Sequence, residues 1–462
     1  MTRRGFLGSA VGVMAAQAAA PKWNLLIITN DQHRADCLGC YGNAVVKTPV
    51  LDGLAAEGVR FENYFVHAPQ CVPSRVSMHT GRYPHTHRVP SNAYMLPDSE
   101  LTLAKILNAE GYRTACVGEM PFAPRSYTGG FQRVLASNRD YDKFLAARGL
   151  KFPAAEGRFQ AAPVPWSEEL DETAFFAGKA REFIRASRET PFFLHINFRR
   201  PHHPFNPPAP YDKMYIGAKF PPSHKREGEM AGKPAAQQAA LEKSVGFDLR
   251  TMSAADLDLV KAYYYGMISL NDKYIGTVLE ELRAAGVADR TMVVFNADHG
   301  EMLGDHGLLF KGSYMYDGVV KVPFIVRAPG KIAPGTVVKG LVEEVDLLPT
   351  VLEVLGVKTT AAVQGKSLMG VVKNPAARHK TAVFAEYPAI KMVRTAEWKL
   401  VHYVKSRHGE LYDLRRDPHE LTNVYADPAN AAVLAEMFAL LADWQAGTGD
   451  PVLAPVRDPE EK

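Results

Sequence analysis

Cysteine is scarce in this sequence of 462 residues: four occur, at positions 37, 40, 71 and 116. A chain of this length with so few does not rest on a disulfide framework. Cys37 and Cys40 form a lone C-x-x-C, the spacing of thiol redox or metal sites. A four-thiolate zinc site would need Cys71 and Cys116 as its second pair, and these lack close spacing. Cys37, Cys40 and Cys116 are therefore expected to be small buried hydrophobes. Long runs of Lys or Arg are also missing, and the formal net charge is only +4. So balanced a chain offers nothing for nucleic acid or an anionic membrane to hold. Beyond the N-terminal segment no apolar run reads as a membrane span, and no stable membrane insertion is expected. Internal repeats are not evident. What is present, 47% hydrophobic and 23% charged residues, fits a globular protein with one large domain and a smaller one.

The N-terminus reads as a targeting segment. Thr2-Arg3-Arg4-Gly5-Phe6-Leu7 leads into an Ala/Gly-rich apolar stretch and then Ala18-Ala19-Ala20-Pro21. Twin arginines followed by small residues suit twin-arginine export of residues 1–20, and hence a periplasmic or secreted protein. Residues 21–370 then alternate strands with helices. Asn24–Thr29, Pro191–Phe198 and Thr291–Ala297 are apolar runs of the kind buried on both faces of a parallel sheet, with helices expected around Leu101–Glu110 and Leu257–Ala285. This pattern predicts an α/β domain with a mainly parallel sheet flanked by helices. From about 371 to 462 the texture changes to short strand-like pieces, Ala382–Tyr387, Lys391–Thr395 and Lys399–Val404, and a helix over Ala431–Trp444. A smaller antiparallel-sheet domain is expected there.

Each of the long strands ends in polar residues. Asp31 and Gln32 follow the first, Arg199, Arg200 and His202 the second, and Asp298 and His299 the third. Ligands of parallel sheets bind beyond the carboxyl ends of the strands. Two neighbouring strands ending in Asp-Gln and Asp-His can bring four ligands to one divalent cation, with Ca²⁺ or Mg²⁺ suited to the oxygen donors and Mn²⁺ admitted by the imidazole. Either pair alone is more simply a turn or a helix cap.

The segment Cys71-Val72-Pro73-Ser74-Arg75, followed by Thr80-Gly81-Arg82, carries the most information. Alone, C-x-P-S-R reads as a structural loop, or as a thiol with no His beside it to activate the sulfur. With T-G-R behind it, the segment resembles the signature of the sulfatase family, in which that cysteine is oxidised to formylglycine. Further motifs extend the resemblance over most of residues 24–425. They are Asp36-x-x-Gly39-Cys40-Tyr41-Gly42, Pro201-His202-x-Pro204, Asp298-His299-Gly300-Glu301, Gly304-Asp305-His306-Gly307, Lys311-Gly312 and Glu410-Leu411-Tyr412-Asp413-Leu414.

The resemblance implies an alkaline-phosphatase-like fold and a sulfuric ester hydrolase. Residue 71, as hydrated formylglycine, would be the nucleophile and a metal ligand together with Asp31, Gln32, Asp298 and His299. The cation would be Ca²⁺ first, with Mn²⁺ or Mg²⁺ as alternatives. Arg75 would hold the diol, Lys311 would neutralise charge developing on the sulfuryl group or the leaving oxygen, His202 would protonate that oxygen, and Asn92 would contact the substrate. The implied partners are a sulfated small molecule or glycan and a formylglycine-generating enzyme.

One stretch departs from the pattern. After Gly111-Tyr112-Arg113-Thr114, many sulfatases carry G-K-x-H, whose Lys and His contact the diol and the sulfate. Here the run is Gly118-Glu119-Met120-Pro121. A carboxylate in the place of that cation would repel a sulfate, or else the segment is displaced and Glu119 pairs with a nearby Arg. Phosphonate monoester hydrolases, relatives with the same nucleophile, also lack the Lys/His pair. A phosphonate monoester or phosphodiester hydrolase is therefore the near alternative, and a non-catalytic binder the more distant one. A thiol redox protein built on Cys37 and Cys40 accounts for none of the other motifs.

Overall fold

The computed structural model describes residues 22–153, 157–404 and 406–450. The expected export segment at residues 1–20 lies outside them. The main sheet has eight strands: β1 (Asn24–Asp31), β2 (Val59–Phe65), β3 (Arg113–Gly118), β4 (Arg133–Ala136), β5 (Phe192–Pro201), β6 (Thr291–Ala297), β7 (Lys321–Arg327) and β8 (Thr336–Glu343). Their order is β4-β3-β5-β1-β6-β7-β2-β8, and only β7 runs against the others. The mainly parallel α/β class is thus observed. β1 lies between β5 and β6, every residue of it is buried, and helices cover both faces of the sheet. That burial is what the unbroken apolar run Leu25–Ile28 requires.

The two expected helices form over Leu103–Ala109 and Ala254–Ala284. Their starts are set by caps: Thr102 accepts the amide of Lys105, and Ser253 with Asp256 makes a reciprocal capping box. The C-terminal helix runs past Trp444 to Thr448.

A second sheet is antiparallel and ordered β12-β11-β10-β9, from β9 (Val383–Tyr387), β10 (Ile390–Arg394), β11 (Trp398–Tyr403) and β12 (Gly409–Asp413). On one face Val393, Leu400 and Leu411 pack with Met437, Leu441 and Trp444 of the last helix. On the other, Val383, Ala385, Met392 and Val401 join the core of the main sheet. No helix among the described residues is long and apolar enough to cross a membrane.

Candidate active site

β1 and β6 are parallel neighbours in register, Asn30 beside Ala297, so the residues that follow emerge together at their carboxyl ends. These are Asp31 and Gln32 on one side, Asp298 and His299 on the other. Gln32 holds a left-handed backbone (φ 65°), a conformation costly for a side chain of this size and found where a site demands it. Its backbone N–H donates to Asp298 Oδ1 at 3.1 Å and so ties the two strand ends together.

The Cys71 signature forms a helix, Cys71–Thr80, aimed at this point. Pro73 falls in its first turn, where an amide hydrogen would have no helical acceptor, so proline is tolerated. The Val72 amide is accepted instead by Asn92 Oδ1 at 3.0 Å. Arg75 lies one helical turn beyond Cys71, on the same face. Ser74 Oγ is hydrogen-bonded to the Asp298 carbonyl, 2.5 Å away, and to Glu344 Oε1, 2.8 Å away, pinning the helix to the β6 end. Gly81 stops the helix in the left-handed region (φ 64°), with Leu348 so near that a side chain would be crowded. Arg82 grips both oxygens of Glu100 at 2.9 Å. Much of the signature therefore serves to place Cys71 and Arg75.

The result is a tight polar knot. Arg75 donates Nε to Asp298 Oδ2 at 2.8 Å and a terminal nitrogen to Asp31 Oδ2 at 2.5 Å. Both Oδ1 atoms are left facing His299 Nε2, that of Asp31 at 3.4 Å and that of Asp298 at 3.8 Å. Cys71 Sγ lies 3.2 Å from the same nitrogen and 3.8 Å from Asp31 Oδ1. The ligand atoms of Asp31, Cys71, Asp298 and His299 all fall within 4.8 Å of one another.

Burial and Lys311 work against a protonated His299, but Asp298, Cys71 and Asp31 outweigh them and lift its pKa to about 10. That is a concentration of negative potential at one point, fitting a divalent cation with two carboxylates and an imidazole as donors. Gln32 flanks the knot: its Oε1 accepts from Lys311 Nζ at 3.0 Å, and its amide nitrogen bonds Glu301 and, at 3.2 Å, His203.

Lys311 is delivered by the turn that follows His299. Glu301 accepts the amides of Leu303 and Phe310, and Arg34 clamps the turn through the Glu301 and Met302 carbonyls and Asp305. The Gly304–Gly307 motif is thus scaffold. Burial opposes the charge on Lys311, yet Cys71, Asp31 and Asp298 raise its pKa. Lys311 Nζ donates to His202 Nε2 at 2.7 Å, and His202 Nδ1 donates to the His203 carbonyl. Burial and the adjacent Lys311 push His202 well down, so its ring is neutral and the mobile proton of the pair sits on Lys311.

A cleft of about 820 Å³ opens over Cys71 and is lined by Asn92, Glu119, Arg199, His202 and Lys311. The departing segment stays in this wall, because the Met120 carbonyl accepts from Arg75 at 3.2 Å. Gly118 lets it pass: its φ is 94°, and a Cβ there would strike the Asn197 carbonyl at 2.2 Å. The Glu119 side chain turns to Arg125, 3.1 Å away, and to Asn138, so its charge is answered within the wall. Arg125, Asn138, Arg199 and Phe152 also line the cleft and belong to no motif read from the sequence. Only the position of Arg199 at a strand end hinted at it. Of the remaining cysteines, Cys37 and Cys116 are buried and Cys40 half-buried, all three as free thiols. Burial raises each thiol, Cys40 and Cys116 to about 12, which removes the reactivity that redox chemistry needs.

The Sulfatase family model matches residues 23–357. The chain belongs to the sulfatase family. A second model, the C-terminal region of N-sulphoglucosamine sulphohydrolase, matches residues 304–447. As a member of the family the chain is an enzyme, a sulfuric ester hydrolase. It is 30% identical to an arylsulfatase of Clostridium perfringens, over 87% of this chain and 90% of that one. It is 28% identical to the multifunctional alkaline phosphatase superfamily protein PehA of Trinickia caryophylli, over 94% and 97%. The solved phosphonate monoester hydrolase of Agrobacterium radiobacter superposes with a TM-score of 0.83 at 29% identity, covering 92% of this chain and 96% of that one. The sulfatase fold is therefore shared with an enzyme named for phosphonate monoesters.

Proposed function

We propose that the chain hydrolyses a sulfuric monoester with residue 71 in its oxidised, formylglycine form and one divalent cation beside it. The observation that carries this reading is the convergence of Cys71, Asp31, Asp298 and His299 at a helix N-terminus. Ca²⁺ is the first choice and Mn²⁺ or Mg²⁺ the alternatives, held by Asp31, Gln32, Asp298, His299 and residue 71. Together the cation and the formylglycine supply an oxygen nucleophile and neutralise charge on the ester. Arg75 keeps the two Oδ1 atoms aimed inward by occupying both Oδ2 atoms. Lys311 presents a fixed positive charge to the oxygens where negative charge develops, and holds the proton the leaving oxygen needs. His202 directs that ammonium through its Nε2. Asn92, whose side-chain nitrogen has no partner among the described residues, is left to contact the ester.

A formylglycine-generating enzyme is the partner this requires, and twin-arginine export places the product in the periplasm or outside the cell. A sulfated small molecule or glycan is the substrate class, and the arylsulfatase relative makes an aryl sulfate the natural first assay. Peptide mass spectrometry of active protein should show the sulfur of residue 71 replaced by an aldehyde oxygen. Cys71→Ala should be inactive and folded, and chelation should stop turnover until Ca²⁺ or Mn²⁺ is returned. A fully active protein with an alkylatable thiol at 71 would sink the mechanism.

A second reading, hydrolysis of a phosphonate monoester or phosphodiester, is favoured by Glu119 and Pro121 standing where many sulfatases have Lys and His. The Agrobacterium radiobacter structure supports it as well. Turnover of an aryl sulfate and an aryl phosphonate by one preparation decides between the two.

A further inference from the structure

Four Lys or Arg side chains line the cleft, and three have protein partners. Arg75 holds Asp31, Asp298 and the Met120 carbonyl; Lys311 holds Gln32 and His202; Arg125 pairs with Glu119. Arg199 is the exception. It is half-buried at the end of β5, three residues before His202, and its guanidinium makes no hydrogen bond or ion pair among the described residues. Its one ring contact is with Phe152, whose centroid is 5.5 Å from the guanidinium carbon. The acid nearby, Glu172, lies 3.9 Å from Arg200 Nε and acts on Arg199 through space, without an ion pair. Burial raises the Glu172 carboxyl towards its neutral form despite the two arginines.

A partly desolvated cation with no hydrogen bond or ion pair of its own gains from a further anionic partner. The Phe152 ring, 5.5 Å from the guanidinium carbon, is a cation–π neighbour that favours a guanidinium held on this side of the cleft, where its fork suits a planar oxyanion. We propose that Arg199 binds a second anionic group on the substrate, a carboxylate or further sulfate carried by the leaving group. This deepens the proposed sulfatase reading, on which it rests for the place of the reacting ester. Arg199 then acts as a specificity residue and takes no part in the bond-breaking step.

The test compares phenol with 4-hydroxybenzoate as leaving groups, and 4-hydroxybenzenesulfonate, whose C–S bond is not an ester, as a second anionic arm. Calorimetric titration of the intact chain should show the charged phenols binding roughly tenfold tighter than phenol, the scale of one charge-assisted hydrogen-bond pair. Arg199→Gln should abolish that preference and leave phenol unchanged, Arg199→Lys should keep part of it, and added salt should weaken it. The relative strength of the carboxylate and sulfonate arms tells whether the site takes a carboxylate or a sulfate-like anion. The corresponding aryl sulfates should show the same preference in kcat/KM.

A preference in binding that Arg199→Gln removes supports the inference even where neither ester is cleaved, and in that case only the sulfatase mechanism falls. Equal binding of all three phenols overturns the inference, as does an Arg199→Gln effect equal on charged and uncharged phenols. Turnover of the esters would then leave the sulfatase reading standing.

Discussion

Lys311 and His202 both line the cleft, and in the proposed mechanism they hold different parts of the proton chemistry. The ammonium is kept charged by the acids around Cys71, and the imidazole is kept neutral by burial and by that ammonium. Lys311→Ala should therefore lower kcat/KM by about 10²–10³, the usual loss for one preorganised donor at a developing oxyanion. The loss should grow as the leaving alcohol becomes more basic. His202→Ala should cost less on activated aryl esters, because the donor remains and only its direction is lost. A series of aryl esters spanning leaving-group pKa checks this, and equal losses across the series would show that Lys311 does not serve the leaving oxygen.

Arg75 makes a contrasting case. It is buried and braced between two carboxylates, so Arg75→Met should destabilise cation-free protein by about 3–5 kcal/mol, as for any buried ion pair left with one partner. Added Ca²⁺ should restore part of that loss if Asp31 and Asp298 are its ligands. Denaturant titration with and without Ca²⁺ measures both, and a loss indifferent to the ion would speak against those ligands.

Among the elements, the turn Ser244–Phe247 stands out. Ser244 and Phe247 exchange backbone hydrogen bonds of 2.9 Å, and both residues between them have positive φ, Val245 at 49° and Gly246 at 90°. Such two-residue turns favour Asn-Gly, since a β-branched side chain is strained there. Val245 is nonetheless 49% exposed and lines the cleft. Val245→Asn should raise stability by about 1 kcal/mol by relieving the strain, while raising KM for an ester with an apolar leaving group. Thermal melts read beside steady-state kinetics would show the two opposite signs, and a variant that loses stability would refute the strain.

This turn was not legible in the sequence, because nothing in Ser-Val-Gly-Phe announces where it hangs. β1, β5 and β6 were legible, since strands buried on both faces must be continuously apolar. For the same reason β7 could not be told apart: Lys321–Arg327 looks like its neighbours, although it runs antiparallel. The convergence of Asp31 with Asp298 could be read because strand ends of a parallel sheet share one edge. For Glu119 the sequence left pairing with an arginine as one of two outcomes. That the pairing is with Arg125, beside Asn138 and with the segment still in the wall, could not be read, because only the folded wall brings these residues near.

On the scale of the whole molecule, the small sheet is joined to the catalytic sheet by buried ion pairs as well as by shared core. Asp317 is paired with Arg394 and Lys399 of the second sheet, and the carbonyls of Gly318 and Val319 receive the amides of Glu301 and Gly300, directly after His299. A second junction lies behind the catalytic helix. Glu386 of β9 accepts from the His85 amide at 2.8 Å and from its Nδ1 at 2.7 Å, and Lys391 lies between Glu386 and Asp450. An ammonium in that position makes the cluster a tether and leaves no room for a metal ion.

Burial alone would raise the Glu386 pKa, but the His85 hydrogen bond and the Lys391 charge more than offset it and bring it from 4.5 to about 2. A carboxylate with a depressed folded pKa contributes stability that is complete above the unfolded value of 4.5 and is lost as pH falls towards 2. At about 1.4 kcal/mol per unit, the contribution at neutral pH is on the order of 3 kcal/mol. Glu386→Gln should therefore be less stable than the parent by that amount at pH 7, with the gap beginning to close below about pH 4.5. Urea unfolding of both proteins from pH 7 to pH 3.5 measures the gap directly, and a difference that stays constant over that range would mean that Glu386 acts through packing and not through its charge.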